Sequence, residues 1–136
     1  ATFYAVEYPF VHPDDALEPN GTLGKAATLV HRENLMALND SGVVCKFSRS
    51  YMNPDRYEAL FGADYEELLN VGARTVTLER HFNNQRGFDR TDDTLPYDLP
   101  DFESALDEYY EARGWRDGVV PDEALPEGTS PPVADS

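Results

Sequence analysis

The stretch that organises this chain is Leu38-Asn39-Asp40-Ser41-Gly42-Val43-Val44-Cys45-Lys46-Phe47, which contains the only cysteine. The residues just before it, 35–38, suit the end of a helix, whereas 39–42 are residue types that stop helices and form turns. The sequence therefore predicts that Asp40 and Cys45 lie at a junction between a helix and a loop. Such a junction holds a carboxylate and a thiol on a backbone that the preceding helix fixes.

Helical patterns lie on both sides of this junction. Capping residues, glycine stops and apolar residues at three- and four-residue steps predict helices over these ranges: 24–39, 54–61, 65–86 and 101–113. The second should begin with Asn53 as N-cap, and the third with a capping box at 64–67. The predicted fold is all-α, a single helical domain of about four or five helices with long loops. We expect this domain over 1–115 and an acidic, Pro/Gly-rich extended tail over 116–136.

The third predicted helix is the longest and has the widest apolar surface. We expect it to be buried on more than one side, with one stripe made of Leu68, Val71, Thr75, Leu78 and Phe82. Two small residues, 72 and 73, interrupt the larger ones near its middle. Small residues let two backbones come near each other, so this point predicts a close crossing with another helix.

The charge of the chain excludes several classes of partner. Asp and Glu number 26 against 11 Lys and Arg, which gives a net charge of -15. This surface repels phosphate, so nucleic acid and anionic membranes are excluded as partners. The charge indicates either a docking surface for a basic partner or adaptation to a high-salt cytoplasm. Its even spread, with Lys25 and Lys46 as the only lysines, favours a halophile.

The same composition bears on compartment. The sequence contains neither a long apolar run nor a signal-peptide pattern. A single cysteine cannot form an internal disulfide, so we expect a reducing, cytoplasmic location.

A second informative run, 79–96, follows the longest helix. It predicts a helix end with a glycine stop, followed by an acidic turn that ends in Leu95-Pro96. The arginines at 80 and 86 are expected to pair with Asp92 and Asp93 and so to fix the turn. A metal site is the competing interpretation, but adjacent aspartates lack the alternating ligand positions of a calcium loop.

Three motifs, in one order along the chain, resemble the tungsten-containing aldehyde:ferredoxin oxidoreductase family. Asp40 and Cys45 match the family's D-x-x-G-L-C motif, although the glycine stands one residue early, at 42, and valines occupy 43 and 44. The run 79–96 is similar to E-R-x-x-N-x-x-x-G-F-x-R-x-D-D-x-L-P, and 106–115 is similar to L-x-x-Y-Y-x-x-R-G-W. The resemblance implies the C-terminal domain of a larger, multidomain enzyme.

The resemblance also implies chemistry. In this family the aspartate of the first motif binds a pterin of the tungsten cofactor, here Asp40, and the cysteine ligates a [4Fe-4S] cluster, here Cys45. The implied enzyme oxidises an aldehyde to a carboxylic acid and passes electrons to ferredoxin. The remaining cluster cysteines and a catalytic histidine are expected in upstream domains. We assign no catalytic role to a residue of this chain, and we expect the chain alone to be inactive.

Two other hypotheses remain at this point. In the first, the chain is a non-enzymatic acidic helical module for protein interaction, in which Cys45 is a buried structural residue and Asp40 caps the helix. Alternatively, Cys45 is the nucleophile of a thiol enzyme, although no spacing pairs it with His12, His31 or His81.

Overall fold

A computed structural model describes residues 22–45, 47–48 and 51–129. His12, Lys46 and positions 130–136 of the predicted tail lie outside these residues. Within them the chain forms α-helices and no β-strand; the helices are α1 (Ala26–Ser41), α2 (Pro54–Phe61), α3 (Tyr65–Gln85) and α4 (Phe102–Arg113). Single 3-10 turns lie at Arg90–Asp92 and Asp122–Ala124. The predicted all-α fold is confirmed, with every helix end within two residues of its expected position.

The ends of the short helix α2 follow from local sequence. Asn53 accepts a hydrogen bond from the Arg56 N-H at 3.0 Å, and proline occupies the first turn. Gly62 ends the helix in a left-handed conformation, with a φ of 70°. The start of α3 differs from the prediction of a capping box. Asp64 caps it through a single bond to the Glu66 N-H, and Glu58 of α2 supplies the second carboxylate, which accepts from Tyr65 N.

Helix α1 packs against both α3 and α4, most extensively against α3. At the crossing of α1 and α3, a Cβ added to Gly72 would lie 1.9 Å from the Asn34 carbonyl oxygen. Only a glycine allows this approach, so the predicted close crossing is confirmed at residue 72.

Two small apolar cores stabilise this arrangement. The first consists of Leu38, Tyr57 and Leu68, from α1, α2 and α3, and it lies beneath the loop that carries Cys45. The second consists of Tyr110, Trp115 and Val120, so residues beyond α4 pack onto the helices. The first core positions the loop that follows α1.

Some predicted core positions are exposed. Leu60 is 60% exposed and Phe82 is 59% exposed, and Phe61 and Leu78 are also classed as exposed. The apolar pattern of the second helix predicts that Leu60 and Phe61 face inward, and the stripe of the third predicts the same for Leu78 and Phe82. Both predictions are wrong for the part of the chain that the structure describes. Helix α2 is short, and Tyr57 is its one buried residue, in contact with the core formed with α1 and α3.

The acidic turn after α3 is fixed by an arginine, as the sequence predicted. Arg80 donates to both carboxylate oxygens of Asp93, at 2.8 and 2.6 Å, and its Nε donates to the Gly118 carbonyl at 2.7 Å. The Tyr110 hydroxyl also donates to Asp93. Burial opposes ionisation of Asp93, but these hydrogen bonds outweigh it and lower the pKa of the carboxyl.

The second predicted arginine behaves differently. The Arg86 guanidinium lies over the Phe82 ring, 5.5 Å from its centroid, so its predicted pairing with the aspartates is wrong. Asp92 instead accepts from the Asp89 N-H at 2.9 Å in a reciprocal cap of the 3-10 turn.

None of the helices in the described ranges is long and apolar enough to cross a membrane.

Candidate functional site

The end of α1 has the hydrogen-bond pattern of a Schellman motif. The Val44 N-H donates to the Asn39 carbonyl at 2.8 Å, and the Val43 N-H donates to the Asp40 carbonyl at 3.4 Å. Val43, at the position between the helix cap and Val44, has a φ of 55°, the left-handed conformation that this motif requires. Val44 packs on the core beside Leu38, which is the apolar contact usual in such helix ends.

The departure from the motif that the sequence resembles falls at this left-handed position. Position 43 is where D-x-x-G-L-C has its glycine, and the backbone here keeps the left-handed conformation that suits glycine, although the residue is valine. Gly42 has a different role, because a Cβ at that position would lie 2.6 Å from an atom of the Phe61 ring. The backbone of the loop therefore has the usual conformation of a Schellman helix end, but the left-handed position is occupied by valine, which is strained there.

Cys45 comes directly after this helix end and is exposed, with a free thiol. Its carbonyl accepts hydrogen bonds from the Ser48 N-H at 2.9 Å and the Ser48 hydroxyl at 2.6 Å. The hypothesis of Cys45 as a buried structural residue does not agree with this exposure. The thiol-enzyme hypothesis also lacks support among the described histidines, since His81 contacts Gln85 and His31 is exposed on α1.

Asp40 is exposed in the last turn of α1 and borders a cavity between α1 and α3. The volume of this cavity is about 490 Å³. Its lining residues are Arg32, Glu33, Met36, Ala37, Asp40, Ser41, Thr75, Val76 and Glu79. No hydrogen bond or ion pair joins the Asp40 side chain to another described residue, so the carboxylate is available to a ligand.

The rest of the cavity wall was not predicted. As a charged residue between the apolar positions of α1, Glu33 is predicted to lie on the polar face of the helix. It is instead largely buried and accepts hydrogen bonds from Arg113 and from the Tyr109 hydroxyl, both at 2.6 Å. Burial, followed by the negative charge of Glu33, raises the pKa of Tyr109. The signal in the sequence was the helical spacing of Glu33, Met36, Ala37 and Asp40, which places them on one face.

A buried polar pair behind the helix end was also missed. Asn39 is 7% exposed, and its Oδ1 accepts a hydrogen bond from the Tyr57 hydroxyl at 2.6 Å. Burial raises the pKa of Tyr57, and the bond to Asn39 partly offsets that rise. Local sequence indicates only a turn-forming role for Asn39, because its partner lies on a different helix.

Comparison with known proteins identifies the family. Residues 1–127 match the family described as "Aldehyde ferredoxin oxidoreductase, domains 2 & 3". The chain belongs to this family. Neither a curated protein nor a solved structure gives a significant match.

The residues of this aldehyde ferredoxin oxidoreductase domain fit part of a cofactor site. In the described ranges, no group of three or more His, Cys, Asp and Glu side chains is arranged to hold a metal ion. The structure does present one exposed thiol and one unpaired carboxylate at a single helix end. That donor set fits one ligand of an iron-sulfur cluster and one hydrogen-bond acceptor for a cofactor ring.

Proposed function

We propose that this chain is part of an aldehyde ferredoxin oxidoreductase that converts an aldehyde and water to a carboxylic acid. Cys45 contributes one thiolate ligand to a [4Fe-4S] cluster, and Asp40 accepts hydrogen bonds from a pterin of the tungsten cofactor. When bound, the tungsten group would supply the two-electron oxidation of the aldehyde, in which two protons are released, and the cluster would supply the path by which the electrons leave to ferredoxin. The chain's own residues supply position and electrostatics.

The observation that carries this proposal is the exposure of both side chains on one helix end. Cys45 has a free thiol, and Asp40 borders a cavity with its carboxylate unpaired among the described residues. The main-chain bonds from Val43 and Val44 fix the backbone between them. A thiol and a carboxylate on a fixed backbone can hold two parts of one cofactor assembly at a fixed distance from each other.

Each side chain acts through elementary chemistry. A thiol that ligates iron must be deprotonated, and an exposed cysteine can reach metal without reorganising the core. An ionised carboxylate accepts stronger hydrogen bonds than a neutral group does, which suits the N-H edge of a pterin.

The donor count sets the limits of this chain's contribution. A [4Fe-4S] cluster takes four thiolates, and this sequence contains 1 cysteine. We therefore propose that the remaining cluster ligands and the catalytic acid-base groups belong to upstream domains of the enzyme. The chain alone should bind no cluster stably and should not oxidise aldehydes.

The test is metal analysis of the enzyme that contains this chain together with its upstream domains, purified anaerobically. Cys45→Ser should lose iron and the absorption of the cluster, and Asp40→Asn should lower tungsten and pterin content. Asp98→Asn, an exposed carboxylate outside the cavity, is the matched control and should retain both. Wild-type iron in Cys45→Ser would refute the proposed cluster ligand.

The acidic surface and the free thiol support a reducing cytoplasm of high salt as the compartment. A net charge of -15 causes self-repulsion that salt screens. The unfolding temperature should therefore rise with KCl concentration, and a temperature that falls with KCl would contradict the high-salt assignment.

A further inference from the structure

We propose that the buried pair Asn39 and Tyr57 is a positioning element that holds Asp40 and Cys45 in a fixed relation. The inference rests on the proposed function for its role in the enzyme. Its structural part, the control of the helix end by this pair, can be tested independently of any cofactor.

Asn39 is the residue on which three constraints meet. Its side chain accepts the Tyr57 hydroxyl hydrogen bond at 2.6 Å, which ties the end of α1 to α2. Its carbonyl accepts the Val44 N-H at 2.8 Å, which ties it to the residue before Cys45. Its own peptide bond continues into Asp40. A displacement of Asn39 therefore moves both candidate ligands.

The two hydrogen bonds that Asn39 accepts tether the loop on opposite sides. The main-chain bond to Val44 closes the near side of the loop, before Cys45. The side-chain bond to Tyr57 acts beyond the loop, because Tyr57 lies in α2, which begins at Pro54. Cys45 thus lies within a segment that a single asparagine holds at both ends.

The strained backbone at Val43 tends to relax, and the hydrogen bond between Asn39 and Tyr57 opposes that relaxation. Val43 is a β-branched residue with a φ of 55°, a conformation that persists only where the surroundings enforce it. The enforcing groups are the bonds at the end of α1 and the contact of Val44 with the core. Without the tether to Tyr57, the loop has less to keep Val43 from relaxing to a right-handed or extended conformation.

The polar character of the pair favours positioning over simple packing. Asn39 and Tyr57 are 7% and 4% exposed, within a core whose other buried members are leucines. An apolar pair of the same shape could fill this space at little loss of stability. A hydrogen bond adds direction, since it fixes the angle as well as the distance between two elements.

The first experiment uses the full chain and separates the effect of the hydrogen bond on the position of the loop from its effect on the free energy of unfolding. Tyr57→Phe removes only the hydroxyl and leaves Asn39 Oδ1 without this donor. The double variant Asn39→Leu/Tyr57→Phe replaces both partners by apolar groups, so its stability should recover. Leu68→Val, in the same core, is the control that lowers stability while both partners of the hydrogen bond are kept. The readout is hydrogen exchange at the Val44 amide.

The proposal expects Val44 exchange to be about tenfold faster in Tyr57→Phe and to stay fast in the double variant, because the tether is absent from both. Leu68→Val should exchange at the wild-type rate under native conditions. Unchanged exchange in Tyr57→Phe, or full protection restored in the double variant, would overturn the proposal.

The second experiment examines the enzyme with its upstream domains. The double variant should retain iron but give an altered or broadened electron paramagnetic resonance signal of the reduced cluster, with Leu68→Val again as the control. A signal identical to that of the wild type would overturn the positioning role. If Cys45→Ser retains its iron, the proposed function fails, and the Val44 exchange result still decides whether the pair holds the loop.

Discussion

Val43 is the residue at which the sequence and the backbone of this chain disagree most. Its side chain is 92% exposed, so no packing compensates for its left-handed conformation, which has a φ of 55°. A β-branched side chain in that region clashes with its own backbone, at a cost of about 1–2 kcal/mol. The neighbouring hydrogen bonds at the end of α1 hold it there.

Relief of this strain should be measurable. Val43→Gly should raise the free energy of unfolding by about 1 kcal/mol, because glycine adopts the left-handed region without the Cβ clash. Val43→Ala, which removes only the branching, should gain less. Urea denaturation of the three proteins provides the comparison. A Val43→Gly variant that is less stable than the wild type would show that residue 43 is not left-handed in solution.

The position of the two candidate ligands could be predicted from sequence, but the strain between them could not. Asn39, Asp40, Ser41 and Gly42 are turn-forming residues after an apolar helix, so the junction is a local property. The left-handed residue would then be expected at the glycine. That glycine instead leaves room for the ring of Phe61, a contact from α2 that local sequence does not reveal.

At the scale of elements, the crossing of α1 and α3 depends on one missing side chain. The Gly72→Ala methyl group would overlap the Asn34 carbonyl, so the two helices would have to separate. We expect a loss of about 3 kcal/mol from overpacking, although alanine favours a helix by about 1 kcal/mol over glycine. Asn70→Ala, on an exposed position of α3, should be neutral or slightly stabilising. Thermal unfolding of both variants checks this, and a stable Gly72→Ala would contradict the tight crossing.

Helix ends could be predicted better than buried faces. Asn53, Pro54 and Gly62 act within a few residues of themselves, so their positions follow from local chemistry. Burial depends on which neighbour covers a face. Phe82 continues the apolar stripe of α3, yet among the described residues only Arg86 is known to lie over its ring. Periodicity shows which residues share a face but not what lies against it.

At the scale of the whole molecule, the second and third sequence motifs act mainly as structural ties. Arg80 and Asp93 of one motif meet Tyr110 of the next and the Gly118 carbonyl beyond it. The pairing of Arg80 with the acidic turn was predictable, because an arginine close to paired aspartates in sequence suits a bidentate bond. The contact with Gly118 was not, since nothing local connects residues 80 and 118 in the sequence.

These ties should make stability depend on acid pH in a specific way. The lowered pKa of Asp93 means that the folded state favours its ionised form, so its contribution is complete above the unfolded pKa, about 4, and is lost as pH falls through the folded value. Asp93→Asn keeps the size of the side chain but removes its charge, and it should destabilise the chain by about 2 kcal/mol at pH 7.

The difference in unfolding free energy between wild type and Asp93→Asn isolates this carboxylate from the overall charge. Lowering the pH also reduces the repulsion of a chain with a net charge of -15, which stabilises both proteins to a similar extent. The difference should therefore stay constant from pH 7 to about 5 and shrink below about 4, as Asp93 becomes protonated and its bonds to Arg80 weaken. Denaturant titrations at several pH values measure it. A difference that is the same at pH 7 and pH 3 would show that folding does not lower the pKa of the Asp93 carboxyl. The network that joins α3, α4 and the segment beyond them would then need another explanation.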